Sequence, residues 1–96
     1  MIKIDKSLIH KEICKKLNEI YKEKNIRYND SFSKSYNEYG LMMSCIRLED
    51  KLSRFKALSK NPSLDNQVDE SIKDTLIDMA NYSIMTLIEM QLDNKK

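Results

Sequence analysis

The sequence predicts an all-α fold: three main helices in a small bundle completed by oligomerisation. Three observations predict it. Apolar residues recur at the helical period over three long segments. Turn formers are scarce, with one Gly and one Pro among 96 residues, so the elements must be few and long. The last segment is apolar around more than half its circumference, through Leu76, Ile77, Ala80, Ile84, Leu87 and Ile88. Two partner helices hide only part of such a surface, and large exposed patches imply partners. The length, 96 residues, fits one domain spanning 1–96. A chain of this size hides only about 60–70% of its unfolded surface, so association with further copies is a natural aid.

The first helix is expected from about Ser7 to Lys24. Ser7 or Asp5 can cap it, and Ile9, Ile13, Leu17 and Ile20 form its buried stripe. Residues 25–37 then break the pattern. They are rich in Asn, Ser and Tyr and read as a loop, either functional or merely connecting. Tyr28, Phe32 and Tyr36 speak for function, since a floppy linker rarely carries three aromatics. The second helix is expected from Glu38 or Leu41 to Leu58. Its apolar face is Leu41, Cys45, Leu48, Leu52 and Phe55, and Arg47, Asp50, Lys51 and Arg54 lie opposite. Lys60-Asn61-Pro62-Ser63-Leu64 makes the next turn. The third helix is capped by Asp65 or Asn66 and runs to about Leu92. Its stripe is Ile72, Leu76, Met79, Ala80 and Ile84.

Composition narrows the function. Lys plus Arg number 17 against 15 Asp plus Glu, a net charge of +2. That is no electrostatic footprint for a nucleic-acid polymer. No apolar run approaches the roughly 20 residues a membrane span needs, and the first residues lack the apolar core of a signal peptide. The expected location is the cytoplasm, that of the host cell if a phage encodes the chain. Cys14 and Cys45 fit no metal or redox spacing and read as small hydrophobes on apolar stripes. His10, the only histidine, reads as an exposed helix residue without a partner.

Two clusters remain that could carry chemistry. Glu70, Asp74 and Asp78 follow at four-residue steps, so a continuous helix stacks them on one face. Like charges at that spacing repel, and a divalent cation turns the repulsion into binding, since carboxylate oxygens suit Mg²⁺. The plainer reading is a solvated acidic face favoured by the helix dipole. Against that reading, Asp78 and Asn81 border the apolar Ile77, Met85 and Ile88. The second cluster is the stripe of Arg47, Asp50, Lys51 and Arg54. It is either a solvated face or a phosphate grip, because arginine forks match phosphate oxygens bidentately. Asp50 could orient Arg54 or bind a metal. Phosphate-loop and dinucleotide motifs are absent.

Three blocks together resemble a known family. Lys24-Asn25-Ile26-Arg27-Tyr28-Asn29-Asp30-Ser31-Phe32 is similar to its opening motif, usually Lys-Asn-x-Asp-Tyr-Gly followed by Ser-Phe. Arg47-Leu48-Glu49-Asp50-Lys51-Leu52-Ser53-Arg54 resembles its Arg-x-x-Asp-Lys-x-x-Arg block. Asp69 to Tyr82 resembles its closing Asp-Glu-Ser-x-x-Asp-Thr-Leu-x-Asp-x-Ala-Asn-Tyr block. The family is the nucleotide modification associated domain of type 1, common in phage genomes and similar to MazG-like all-α nucleotide pyrophosphohydrolases. The resemblance implies a MazG-like helical bundle that binds a nucleotide. It implies Glu70, Asp74, Asp78 and Asp50 as ligands of Mg²⁺. It implies Arg47, Lys51 and Arg54 as phosphate contacts and Tyr28 as a base-stacking ring, with Lys24, Arg27, Asn81 and Tyr82 also at the nucleotide.

Two departures bear on the chemistry. The opening motif normally has an acid and a glycine where this chain has Arg27 and Asn29. Exchanging an acid for an arginine favours anions over metal. The paired Glu-x-x-Glu of the catalytic MazG-like enzymes is also missing. Glu49 and Asp50 are adjacent and diverge by about 100° around a helix, so both cannot face one ion. Two functions are therefore expected in competition. One is Mg²⁺-dependent pyrophosphohydrolysis of a nucleotide. The other is a non-catalytic sponge that sequesters a cyclic or ADP-ribose-type nucleotide signal of host defence.

Overall fold

The structure is a computed structural model that describes residues 3–61, 63 and 71–94. Among the described residues it is all-α, with four helices and no strand. These are α1, Lys6–Arg27; α2, Ser31–Tyr39; α3, Leu41–Lys60; and α4, Ile72–Asp93. The chain forms two compact units, residues 1–30 and residues 31–96.

The first unit is built on α1. Asp5 caps it, accepting the amides of Ser7 at 3.0 Å and Leu8 at 3.3 Å. Of the expected stripe Leu17 is buried, whereas Ile9 and Ile13 stay about half exposed. His10 is not solitary: its Nδ1 lies 3.7 Å from Cys14 Sγ, one turn along. Asn29 and Asp30 end the unit at φ of 52° and 53°. Two successive left-handed residues cannot continue a helix, and Asn and Asp are the non-glycine residues that tolerate this region best.

The second unit corrects the expected three helices to four. Much of the segment expected as a loop is α2. Phe32 and Tyr36 sit one turn apart on it and are buried, forming a core with Met43 against which Tyr82 and Met85 pack. Two of the three aromatics marked a helix face here, and the Asn and Ser content hid it; Tyr28 caps the end of α1 and is exposed. Gly40 alone separates α2 from α3, at φ 75° and ψ −161°, a region essentially reserved for glycine. The single glycine of the chain is thus the hinge of the α2–α3 hairpin.

The faces of α3 match those expected only in part: Leu48 and Phe55 are half-buried and Asp50 is exposed, as expected, but the rest of the two rows is exchanged. Its buried residues are Met43, Ser44 and Leu58, and Arg47, Lys51 and Arg54 are half-buried on the same side. Leu41, Cys45 and Leu52 are exposed. Helix α4 behaves alike: Thr75, Asn81 and Glu89 are buried, while Leu76, Ile84 and Leu87 face out. Hydrophobic period finds a helix, but it names the inner face only when the apolar side is the one covered.

The start of α4 also differs. Ser71 is its N-cap and makes a capping box with Asp74. The Asp74 amide donates to Ser71 Oγ at 3.1 Å, and the Ser71 hydroxyl donates to Asp74 Oδ2 at 3.0 Å. The expected caps Asp65 and Asn66 lie outside the described residues, as does Glu70. No described helix is long and apolar enough to cross a membrane.

Candidate functional site

Helices α3 and α4 run antiparallel, and their polar rows meet rung by rung. Ser44 and Thr86 hydroxyl oxygens are 2.9 Å apart. The Arg47 guanidinium carbon lies 5.9 Å from the centroid of the Tyr82 ring. Lys51 Nζ is 2.9 Å from Asp78 Oδ2. Steps of three and four residues up α3 are matched by steps of four down α4. The Thr86 hydroxyl donates to the Tyr82 carbonyl at 2.7 Å. It has one proton, so Ser44 supplies the hydrogen between the two hydroxyls. Tyr82 also stacks on Phe32, with ring centroids 5.9 Å apart and planes 15° from parallel.

Beside these rungs opens a cleft of about 500 Å³, within the range of small-molecule sites. Its lining mixes apolar side chains, Tyr39, Met42, Met43 and Ile46, with Arg47, Asp50, Lys51 and Tyr82. On α3 the lining follows two adjacent rows, Met42-Ile46-Asp50 and Met43-Arg47-Lys51, each at four-residue steps. Arg47 stacked on Tyr82 is a cation held over a ring face, an arrangement that keeps a guanidinium in place while its edge stays able to donate.

Farther along α4 a second polar group is buried. Ser33 donates to Glu89 Oε1 at 2.9 Å, tying α2 to α4. The neighbouring Tyr36 phenol is raised above its ordinary range, first by burial and then by the carboxylates of Asp93 and Glu89. Both carboxylates disfavour the phenolate.

The structure brings together four of the expected site residues, Arg47, Asp50, Lys51 and Tyr82. Arg54 is half-buried one turn farther along α3, and Asn81 is buried on α4 beside Tyr82; neither lines the cleft. Lys24, Arg27 and Tyr28 belong to the first unit, where Arg27 pairs with Glu23 along its own helix. The expected metal ligands have other engagements: Asp74 in the capping box, Asp78 on Lys51. Among the described residues no three His, Cys, Asp or Glu side chains are grouped to hold a metal ion. The apolar part of the lining was not anticipated. Its signal was available on α3, where Met42, Met43 and Ile46 stand at helical spacing from Arg47 and Asp50.

A family model, nucleotide modification associated domain 1, matches residues 24–90. The chain belongs to this family. The match spans all the residues that line the cleft. No curated protein and no solved structure matches the chain. The left-handed φ of Asn29, 52°, explains why a glycine fits that position of the opening motif: the backbone there takes a conformation that costs glycine nothing.

Proposed function

We propose that the protein binds a phosphorylated nucleotide in the cleft beside α3 and α4 and holds it without cleaving it. The observation that carries this reading is the Arg47–Tyr82 stack on the wall of a half-apolar cleft with Lys51 one turn away. Tyr39, Met42, Ile46 and Tyr82 suit the flat apolar faces of a base. Arg47 and Lys51 suit phosphate oxygens, the first as a fork and the second as a point charge. Asp50 can accept from a ribose hydroxyl or an exocyclic amine.

Capture is favoured over pyrophosphohydrolysis by the carboxylates. Among the described acids expected at the site, Asp50 lines the cleft, while Asp74 and Asp78 are bound to Ser71 and Lys51. The paired acidic ligands that the hydrolytic reading expects therefore do not converge with Asp50 among the described residues. Such a protein acts as a sponge for a nucleotide in the cytoplasm.

The test is to incubate the protein with nucleotides and Mg²⁺, heat-denature it and identify what is released. Intact nucleotide is expected. Monophosphate and pyrophosphate would restore the hydrolase. Arg47→Ala is expected to weaken binding by about tenfold or more, since a hydrogen bond to a charged group contributes about 1.5–3 kcal/mol. Binding equal to that of the parent for every ligand would remove the cleft as the site.

A further inference from the structure

The charges in and behind the cleft lining cancel, Arg47 and Lys51 against Asp50 and Asp78. They do not cancel pair by pair. Lys51 has its counter-ion in Asp78, at 2.9 Å. Among the described residues neither Arg47 nor Asp50 is in an ion pair, although both stand on α3 three residues apart. An incoming anion therefore meets one uncompensated cation and, about 4.5 Å farther along the helix axis, one uncompensated carboxylate. Arg54, a further turn on, is half-buried and does not line the cleft. In the other direction from Arg47 the α3 part of the lining is Ile46, Met43 and Met42.

We propose that Asp50 is a charge filter: the cleft takes nucleotides whose phosphate carries a single negative charge, as a phosphodiester does, and turns away nucleoside triphosphates. The proposal rests on the reading that the cleft binds a nucleotide. A phosphodiester brings one charge, which Arg47 alone neutralises. A terminal phosphate carries nearly two, and a triphosphate sets further charges in a row with it. Such a row finds no second site along α3. Toward the start of the helix it meets methionine and isoleucine side chains, where a phosphate loses water and gains no donor. Toward the end it meets the Asp50 carboxylate, and like charges at this range repel. Lys51 lies beyond, and drawing it to a phosphate strands the half-buried Asp78. Neutral groups are treated differently, because a carboxylate accepts hydrogen bonds from a hydroxyl or an amine. Attraction at Arg47 with repulsion one turn on selects by exclusion as well as by contact.

The filter is read by calorimetric titration of the full chain with the cyclic monophosphates of the four common ribonucleosides and with the corresponding triphosphates, in EDTA and again in Mg²⁺. The cyclic monophosphate of the preferred nucleoside is expected to bind about tenfold or more tightly than its triphosphate in both buffers. Asp50→Asn removes the charge at nearly constant shape. Asp50 is exposed, so the helical far-UV spectrum should stay intact. The variant is expected to bind the triphosphate about five- to tenfold more tightly than the parent does. A parent that prefers the triphosphate overturns the filter. So does an Asp50→Asn variant that binds triphosphate no better than the parent. Triphosphate binding that needs Mg²⁺ and is lost in Asp50→Asn also overturns it, and makes Asp50 a metal ligand. A parent that binds none of these nucleotides overturns the cleft reading itself, and the filter falls with it.

Discussion

Replacing Lys51 by Met tests whether its charge is surface decoration or part of the packed interior. The sequence places Lys51 opposite the apolar face of its helix, where a substitution costs little stability. The structure reverses that. The Lys51 and Asp78 side chains are 19% and 17% exposed and 2.9 Å apart. Breaking a fully buried pair costs about 3–5 kcal/mol, because the surviving charge keeps its desolvation penalty. Exposed pairs are worth only about 0.2–1 kcal/mol. At this burial the expected cost of Lys51→Met is about 2–4 kcal/mol, against a total stability of about 5–14 kcal/mol for a chain of this length. Urea unfolding followed by circular dichroism measures it. With a slope of about 1–3 kcal/mol/M, the midpoint drops by about 1 M or more. Lys51→Met/Asp78→Leu removes both charges and is expected to recover most of the loss, because an apolar pair of similar volume replaces a buried ion pair at little cost. A single variant that melts within about 0.5 kcal/mol of the parent, the range of ordinary surface changes, would refute the inner placement of the α3 charge row.

Asp74→Asn is expected to lower thermal stability by about 0.5–1.5 kcal/mol, because the carboxylate completes a capping box and faces the positive end of the α4 dipole. A rise in the thermal midpoint would mean that carboxylate repulsion outweighs the cap. Gly40→Ala is expected to cost about 1–3 kcal/mol from backbone strain alone, since a Cβ there meets no atom within 4 Å; a neutral result in a denaturant melt would show that the hairpin relaxes to another turn. The raised phenol of Tyr36 stabilises the fold below pH about 10, the unfolded value, and this contribution is lost as pH climbs through the folded value. Stability of the parent should therefore fall more steeply above pH 10 than that of Tyr36→Phe, and parallel pH profiles from urea melts would contradict the burial of that hydroxyl among carboxylates.

Helix content was legible because 3.6-residue periodicity survives any tertiary arrangement. The existence of α2 was not, because nine residues are too few for periodicity to outweigh Asn and Ser. Phe32 and Tyr36, one turn apart, were its trace. The cap of α4 was misplaced for a similar reason: several residues before it could cap equally well on propensity, and only the Ser71–Asp74 geometry decides between them. At the site, the Arg47-Asp50-Lys51 row and Tyr82 could be picked out by charge and by resemblance. Their orientation could not. A periodic pattern divides a helix into faces without saying which face its neighbours cover, and here α4 offers Asp78, Tyr82 and hydroxyls as the covering surface.

That inversion connects the three features of α3. At 100° per residue, Arg47, Lys51 and Leu58 point one way, to α4. Ile46 and Asp50 stand about a quarter-turn from them, in the cleft, and Leu41, Cys45 and Leu52 lie on the far side, exposed. Rotating the helix by one residue would move the cleft row into the position of the α4 row and leave its aliphatic side chains against Asp78. Apolar packing is weakly specific about such rotation, since one aliphatic residue replaces another at modest cost. A charge is not replaceable in this way, because a carboxylate buried against methyl groups keeps its desolvation penalty without a partner. The Lys51–Asp78 contact therefore sets the angle of α3 about its own axis, and with it the lining of the cleft. Polar residues are placed inside this fold at some cost in stability, and what they secure is the orientation of α3 on which the cleft lining depends.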